Sequence, residues 1–341
     1  MNWEQIESIE NVVTTSYDSF DKAISIGLII FYDHESQLQV LSTRSLSPIC
    51  HCLNGDSSYY EVADESVLFK FGNTIKKLNI DSCTFELFCK TEEENISVLN
   101  SGFCIGSTSK RKPRIRRNEV ISVVDNSVVY KWDDDKTLLT CEGEKFLFQT
   151  KFKGDLYLVN IKDDLRVWDI IIDDGIPGRR YYQHIESNNL LVQRYFSVDN
   201  HNLLRIDLST GAILWELENS CSFYNYDESN CKLYGLRGKT FEMIDIDKGE
   251  REIQNELSED LHIVPNLTYY CNGHLYFSGY VDNRTPIFGA VDVESGKLVF
   301  TQEVEMSGDK SFRKGLDRPV VVGNRLYVRD AMKTLHIFER V

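Results

Sequence analysis

A chain of 341 residues with 42% hydrophobic side chains is long enough to bury one large core or several small ones. Its formal net charge of -15 disfavours general binding to nucleic acid through phosphates, and it favours solubility or a basic partner. Residues 1–10 hold three Glu and no basic residue, and no apolar run of about 18 residues occurs, so we expect a cytoplasmic protein without a secretory signal or a membrane-spanning helix.

The cysteines and the absence of known catalytic motifs limit the kinds of catalytic and metal sites that the sequence can contain. Nine cysteines, an odd number without a Cys-x-x-Cys pair, favour reduced and mostly buried thiols over a secreted disulfide framework. Cys50 and Cys52 lie on one face of a strand and His51 on the other, so they cannot easily share a metal ion. No G-x-S-x-G, H-E-x-x-H or phosphate-binding glycine loop occurs. The sequence therefore predicts no catalytic residue, no cofactor and no metal site.

A repeated motif runs through the chain. Residues 207–215, 245–253 and 292–300 each place a Gly four residues and a large apolar residue eight residues after an Asp. We assign this anchor position, about 42 residues apart on average, to Ser42, Asn79, Asp125, Asn160, Asp207, Asp245, Asp292 and Glu339. Eight such units use nearly the whole chain, so residues 1–341 are predicted to form a single domain.

In chain order, a strand-like segment at residues 3–9 comes first, and units of four short apolar runs follow it. The clearest units have runs at 180–185, 190–196, 203–208 and 212–217, and at 267–271, 274–280, 287–293 and 297–304. The last unit ends after three runs. The sequence predicts an all-β, eight-bladed β-propeller of four-stranded antiparallel blades, with residues 3–9 as the outer strand of the last blade; seven blades are the alternative.

The segment Asp-x-x-Thr-Gly-x-x-x-Trp at 207–215 resembles the repeat of the quinoprotein-like propellers, the family of the pyrroloquinoline-quinone dehydrogenases. Trp132 and Trp168 occupy the matching position in two other units. The resemblance implies that the tryptophans stack between blades and that Asp and Gly hold turns. These structural positions are Trp132, Trp168, Asp207, Gly211, Trp215, Gly249 and Gly296. The chain lacks the vicinal cysteines and the added length of the dehydrogenases, so we expect a non-enzymatic branch.

Acidic clusters fall in the connections between predicted blades. In a four-stranded blade these connections lie on the same face as the link between strands two and three, and we call it the loop face. The clusters are Glu92, Glu93, Glu94, Asp133, Asp134, Asp135, Asp173, Asp174, Glu259 and Asp260. Binding usually resides in loops on a rigid scaffold, so these residues are candidates for contacting a basic partner. The alternative is that they are simply solvated.

One basic segment breaks the acidic pattern. Residues 110–117 hold six basic side chains, and they are predicted to insert between the second and third strands of their unit, on the loop face. The six are Lys110, Arg111, Lys112, Arg114, Arg116 and Arg117. The segment fits a nuclear-import signal, a phosphate or RNA contact, an arm that enters an acidic groove, or a flexible solvated loop.

Three functions of different classes fit these features. The first is a protein-binding propeller, for example a bacterial immunity protein that neutralises a basic toxin. The second is a lyase or hydrolase with a site in the central channel, where His184, after Tyr181 and Tyr182, is a candidate general base. The third is a scaffold subunit of a multiprotein complex. The first reading predicts a protein partner with a basic surface, no membrane partner, and nucleic acid only through residues 110–117.

Overall fold

The chain forms a series of small antiparallel sheets, each built from consecutive strands. The computed structural model describes the chain apart from residues 11, 13–16, 33–36, 53–59, 64, 94, 100–101, 112–113, 134–135, 143, 151–154, 172–179, 186–188, 196–200, 222, 259, 283–284 and 305–314. Strand β1 (Trp3–Ile9) and helix α1 (Tyr17–Ser25) come first. Within the described part of the chain, no helix is long and apolar enough to cross a membrane.

Each sheet is called a blade and numbered in chain order. Blade 1 holds β2 (Leu28–Tyr32), β3 (Leu38–Ser42) and β4 (Pro48–Cys52); blade 2 holds β5 (Tyr60–Ala63), β6 (Ser66–Phe71), β7 (Thr74–Asn79) and β8 (Thr84–Lys90). Blade 3 holds β9 (Asn95–Val98), β10 (Phe103–Arg111), β11 (Arg114–Ser122) and β12 (Val128–Asp133). Blade 4 holds β13 (Lys136–Glu142), β14 (Lys145–Thr150), β15 (Leu156–Asn160) and β16 (Leu165–Ile170).

The second half repeats this plan. Blade 5 holds β17 (Arg180–Ile185), β18 (Asn189–Tyr195), β19 (His201–Asp207) and β20 (Ile213–Leu217); blade 6 holds β21 (Tyr224–Asp227), β22 (Lys232–Arg237), β23 (Thr240–Asp245) and β24 (Glu250–Glu256). Blade 7 holds β25 (Leu261–Cys271), β26 (His274–Val281), β27 (Thr285–Asp292) and β28 (Lys297–Glu303). Blade 8 holds β29 (Val320–Val322), β30 (Arg325–Arg329), β31 (Leu335–Arg340) and β1.

These eight sheets are the blades of an eight-bladed β-propeller. The predicted fold class and blade number are confirmed, and the seven-blade alternative is wrong. The blades fall into two compact units, Met1–Ser58 with Cys221–Val341 and Tyr59–Ser220. The first unit carries blades 1, 6, 7 and 8, and the second carries blades 2 to 5. A single domain over residues 1–341 stays a prediction.

The N-terminal strand completes the last blade, as predicted. Strand β1 pairs antiparallel with β31, from Trp3 opposite Arg340 to Ile9 opposite Leu335. Trp3 is buried among side chains of blades 7 and 8, and its ring meets that of Tyr276 edge-on, with centroids 6.5 Å apart. The pairing covers the edge that β31 would otherwise expose.

Blade 1 contains an element that the repeat did not predict. Among the described residues its sheet has three strands, and Val12 forms a bridge to Phe31. Helix α1 follows Val12 and contacts both β2 and β29. Phe20, Ala23 and Ile24 are buried, and their spacing puts them on one face of the helix. This short apolar stripe was the available sequence signal for α1.

The anchor residues lie at the end of third strands, and one assignment needs correction. The residue four positions after the anchor has positive φ in each of blades 1 to 7. These residues are Leu46, Cys83, Asn126, Asp164, Gly211, Gly249 and Gly296. Counting back from Asn126 gives Ser122 rather than Asp125. The N–H of Ser122 donates to the carbonyl of Ser127, as that of Asp207 donates to Ala212.

The cores of each unit lie between neighbouring blades. In the second unit, Leu147 and Leu158 of blade 4 pack with Leu190 and Leu204 of blade 5. Strands run back and forth within a blade, so each four-stranded blade has two ends. The end that carries the connection between strands two and three, as well as the connection to the next blade, is called the "loop end". The opposite end, which carries the turns between strands one and two and between strands three and four, is called the "turn end".

Candidate interaction surface

Strands β10 and β11 form a long hairpin in the middle of blade 3. Among the described residues, β9 pairs with β10 up to Asn95 opposite Ser107, and β12 pairs with β11 up to Asp133 opposite Arg117. Ser109–Arg111 pair with Arg114–Arg116 toward the end of the hairpin. We call these three residue pairs the arm. They span about 10 Å at the loop end of blade 3.

The arm is rich in arginine. Arg111 pairs with Arg114, Lys110 pairs with Ile115, and Ser109 pairs with Arg116. Guanidinium groups suit carboxylates or phosphates, which they can bind with two hydrogen bonds.

A buried carboxylate fixes one side of the arm's base. Glu119 is 6% exposed, and Thr91 Oγ1 donates a hydrogen bond to its Oε1 at 2.7 Å. The backbone N–H of Glu93 donates to the same Thr91 oxygen at 3.0 Å. Gly106 leaves room for this contact, because a Cβ there would lie 2.8 Å from Thr91 Oγ1. The acidic loop with Glu92 and Glu93 is thus held against the arm's base.

The other side of the base carries Asp133, through its backbone pairing with Arg117. The connection that follows ends at Lys136, whose Nζ lies 5.1 Å from the ring centroid of Phe148 and 5.6 Å from that of Tyr157. Nζ also donates to Tyr130 Oη at 3.3 Å. Burial acts to lower the pKa of Lys136, but the hydrogen bond to Tyr130 and the nearby Tyr157 outweigh it and raise this pKa. Both ends of the acidic connection are therefore anchored.

The described part of the structure brings together only some of the residues predicted to bind a partner on the loop face. Glu92 and Arg117 are exposed, Glu93 is half-buried, and Asp260 is exposed at the loop end of blade 7, in the other unit. For Lys110, Arg111, Arg114, Arg116 and Asp133 the strand position is described. The residues that lie outside the described part are Glu94, Lys112, Asp134, Asp135, Asp173, Asp174 and Glu259. Sequence reasoning missed Thr91, Glu119 and Lys136, because no motif marks them.

The motif residues lie at joints between blades. Trp168 Nε1 donates to the carbonyl of Leu208 at 2.7 Å, and its ring atoms come within 2.9 Å of where a Gly211 Cβ would lie. Trp132 meets Phe148 of the next blade edge-on, with centroids 5.4 Å apart. Asn255 fills the corresponding place against Gly296, and its Nδ2 donates to the carbonyl of Ser295 at 3.1 Å.

The turn residues of the motif act locally. Asp207 Oδ1 accepts from the backbone N–H of Ser209 at 2.8 Å and of Thr210 at 2.9 Å. Oδ1 also accepts from the Ser209 hydroxyl at 2.6 Å. This bond has the largest effect, and together with the backbone bonds it lowers the pKa of Asp207. Gly249, at φ +67°, donates its N–H to the carbonyl of Asp245 at 2.9 Å. Trp215 is half-buried in β20.

The described residues contain few candidates for metal-binding groups or reactive cysteines. None of them form a group of three or more His, Cys, Asp or Glu that could hold a metal ion. Cys50 is buried, and the side chains of His51, Cys52 and His184 lie outside the described part. The described cysteines are free thiols, and burial raises the pKa of Cys141 to about 11.

Asp227, at the end of strand β21 in blade 6, has a strongly shifted pKa, and both of its carboxylate oxygens accept hydrogen bonds. Asp227 Oδ2 accepts from Tyr270 Oη at 2.8 Å and from Asn230 Nδ2 at 2.8 Å, and Oδ1 accepts from the Ser229 hydroxyl at 2.6 Å. Burial opposes ionisation, but these bonds prevail and lower the pKa of Asp227 to about 2. Tyr270 belongs to blade 7, so the network ties blades 6 and 7 together.

Neither a known family profile nor a curated protein sequence matches the chain. Solved structures do. The C-terminal WD40 domain of Sif2 superposes with a TM-score of 0.65 at 10% identity, over 99% of this chain and 98% of that one. BamB from Moraxella catarrhalis gives 0.60 at 10% identity, over 99% of this chain and all of that one. The chain is a β-propeller. Sqt1 from Saccharomyces cerevisiae gives 0.58 at 11% identity, over 98% and 100%.

At these identities the similarity establishes the fold of the propeller and nothing finer. The quinoprotein-like family, suggested by the repeat around Trp168 and Trp215, therefore stays a prediction.

Proposed function

We propose that this propeller is a non-catalytic protein-binding module of the cytoplasm, and that the loop end of blades 2 and 3 is its contact surface. The observation that carries this proposal is the acidic loop of Glu92 and Glu93, held against the β10–β11 hairpin by Thr91 and Glu119. A rigid blade that presents charged connections suits partner binding, because little conformational entropy is lost on association.

One further feature supports a binding role over catalysis. The carboxylate with the pKa of about 2, Asp227, has its acceptor positions occupied by hydroxyl and amide donors, which leaves it unsuited to act as a base. A scaffold subunit would use the same surface.

The finer proposal is that the partner has a basic surface, as in a bacterial immunity protein that neutralises a basic toxin. Its support is the net charge of -15 together with the exposed Glu92 at the loop end. Such charge raises the association rate with a cationic partner more than it raises final affinity, and the effect falls with salt.

Affinity capture from the native cell, followed by mass spectrometry, tests the proposal. We expect the tagged protein to retain a basic protein, and we expect Glu92→Gln with Glu93→Gln to reduce its recovery about tenfold. The matched control is Asp81→Asn with Asp164→Asn, which removes the same charge from exposed positions at the turn end. Equal recovery by both variants would place the contact elsewhere.

A growth assay tests the finer proposal separately. The captured protein should arrest growth when expressed alone, and co-expression of this chain should restore growth. A captured partner that is harmless but depends on Glu92 and Glu93 would retain the binding module and remove the immunity role. Turnover of a small molecule by the purified protein would instead favour the enzyme alternative.

A further inference from the structure

Cys89 and Cys104 form a buried pair of thiols between blades 2 and 3. Cys89 lies in β8, the fourth strand of blade 2, and Cys104 lies in β10, the second strand of blade 3. Both side chains are fully buried, and they belong to the same apolar cluster. The Cys104 thiol donates a hydrogen bond to the Cys89 sulfur. The two sulfur atoms are therefore neighbours in a site that is closed to solvent.

The same two segments meet again one row further along. Thr91 lies two residues after Cys89, and Gly106 lies two residues after Cys104. Residues two apart in an extended chain point to the same side, so both contacts are made by the same side of each segment. A Cβ on Gly106 would lie 2.8 Å from Thr91 Oγ1. The approach of the two cysteines is thus built into the packing of blade 2 against blade 3.

The hydrogen bond gives the two thiols different reactivities. It lowers the pKa of Cys89 despite burial, with help from the backbone of Lys90, and it raises the pKa of Cys104, which burial raises further. Burial raises the pKa of Cys141 and of Cys221 instead. The thiolate is the nucleophilic form of cysteine. Cys89 is therefore the nucleophile of the pair, and Cys104 keeps its proton.

We propose that Cys89 and Cys104 are a redox-sensitive pair, which hydrogen peroxide converts into a disulfide that fastens the connection carrying Glu92 and Glu93 to blade 3. The Cys89 thiolate attacks one peroxide oxygen, so that an S–O bond forms, the O–O bond breaks, and the hydroxide that leaves takes up the proton released by Cys89. The Cys104 sulfur then attacks the Cys89 sulfur. An S–S bond forms, the S–O bond breaks, and the hydroxyl group leaves as water with the Cys104 proton. Two thiols are oxidised by two electrons, and one peroxide is reduced to two waters.

Burial determines which oxidant can reach the pair. Neither sulfur is exposed, so an oxidant enters only during a local opening, and hydrogen peroxide needs a smaller opening than oxidised glutathione does. The disulfide closes a chain loop of about 15 residues that contains Glu92 and Glu93. It adds a covalent link beside the hydrogen bond from Thr91 to Glu119. This connection belongs to the contact surface proposed above, but the disulfide requires no partner and is tested without one.

Peptide mapping of the reduced full-length protein, after a few-fold molar excess of hydrogen peroxide, tests the pair. Trypsin cleaves after Lys90, so the two cysteines fall on separate peptides that only a disulfide joins. We expect the link between Cys89 and Cys104 to form first and dithiothreitol to reverse it. Cys89→Ser should leave Cys104 as a thiol, whereas Cys104→Ser should stop at a Cys89 sulfenic acid that dimedone traps. The matched control, Cys141→Ser, removes a half-buried thiol of blade 4 and should form the link as the wild type does.

Amide hydrogen exchange measures whether the link holds the acidic connection. The N–H of Thr91 donates to the carbonyl of Asn73 at 3.1 Å, and that of Glu93 donates to Thr91 Oγ1 at 3.0 Å. In the oxidised wild type both amides should exchange at least about tenfold more slowly than in the reduced protein, because the link restricts their opening. The amide of Ser209, in a turn of blade 5, should keep its rate. Peroxide-treated Cys89→Ser should show no slowing.

Three results would overturn the proposal. The first is oxidised wild-type protein without the link, including Cys89 carried on to a sulfinic acid, because the Cys104 sulfur would then be out of reach. The second is a link through Cys83, which shares a tryptic peptide with Cys89 and is distinguished by fragmentation. The third is a correct link with unchanged exchange at Thr91 and Glu93, which would show that the disulfide does not hold the acidic connection.

Discussion

Trp168 and Gly211 form a joint between blades 4 and 5 whose strength a double-mutant cycle can measure. A Cβ on Gly211 would lie 2.9 Å from Trp168 ring atoms, and Gly211 has φ +76°. Gly211→Ala therefore adds two costs, a left-handed backbone for an L-residue and a clash with the ring. Gly72→Ala adds only the first, because Gly72 has φ +60° and no atom lies within 4 Å of its Cβ position.

The expected magnitudes follow from these contacts. Gly72→Ala should lower the free energy of unfolding by about 1 to 2 kcal/mol. Gly211→Ala should lower it by about 2 to 5 kcal/mol, because overpacking adds about 1 to 3 kcal/mol. Trp168→Ala should cost about 3 to 5 kcal/mol through lost packing. Once the ring is gone, Gly211→Ala should cost no more than Gly72→Ala, which makes the coupling about 1 to 3 kcal/mol.

Urea unfolding followed by far-ultraviolet circular dichroism measures all five proteins, namely the wild type, the three single variants and the double variant, since this signal does not depend on Trp168. Unchanged denaturant slopes are required for the comparison. Additive effects, within about 0.5 kcal/mol, would refute the reasoning, because they would mean that the ring does not limit the space at Gly211. Equal costs for Gly211→Ala and Gly72→Ala would refute it as well.

Three further predictions concern single positions. Trp3→Ala should cost about 3 kcal/mol in urea unfolding, because the side chain is buried between blades 7 and 8, whereas Ile6→Ala on the same strand should cost about 1 kcal/mol or less; equal costs would contradict this packing role. Asp227 has a lowered pKa of about 2, so its stabilisation is complete above about pH 5 and is lost as pH falls; Asp227→Asn should flatten the fall in melting temperature between pH 5 and 3. Cys83→Gly, at φ +53°, should raise the free energy of unfolding by about 0.5 to 1 kcal/mol, and no gain would show that Cys83 bears no strain.

The fold was predictable because its signals are local. Gly211, Gly249 and Gly296 each donate an N–H to the Asp four residues earlier and have positive φ, so one short pattern marks the same turn in successive blades. The assignment of Asp125 failed where that pattern is weak. Asn126 takes the positive φ there, and the preceding Asp125 matches the residue type of the clear anchors, whereas the true anchor position is Ser122.

Helix α1 was not predicted from the sequence, and the physical reason is a different one. Strand patterns repeat from blade to blade, but α1 occurs once, and its buried stripe of Phe20, Ala23 and Ile24 is too short to stand out. The contact between α1 and strand β29 joins parts of the chain about 300 residues apart. No local pattern encodes such a contact.

The candidate surface shows the same division between composition and geometry. The basic residues of the arm were visible in the sequence, and so was their position between the second and third strands. The sequence did not specify the register in which β10 and β11 pair, from Phe103 opposite Ser122 to Arg111 opposite Arg114. Glu119 and Thr91 are 28 residues apart and meet only because blade 3 folds beside the connection that carries Thr91. Composition shows which charges a segment carries, but contacts such as that between Glu119 and Thr91 depend on the fold, which is why composition alone left both a solvated loop and a binding arm open.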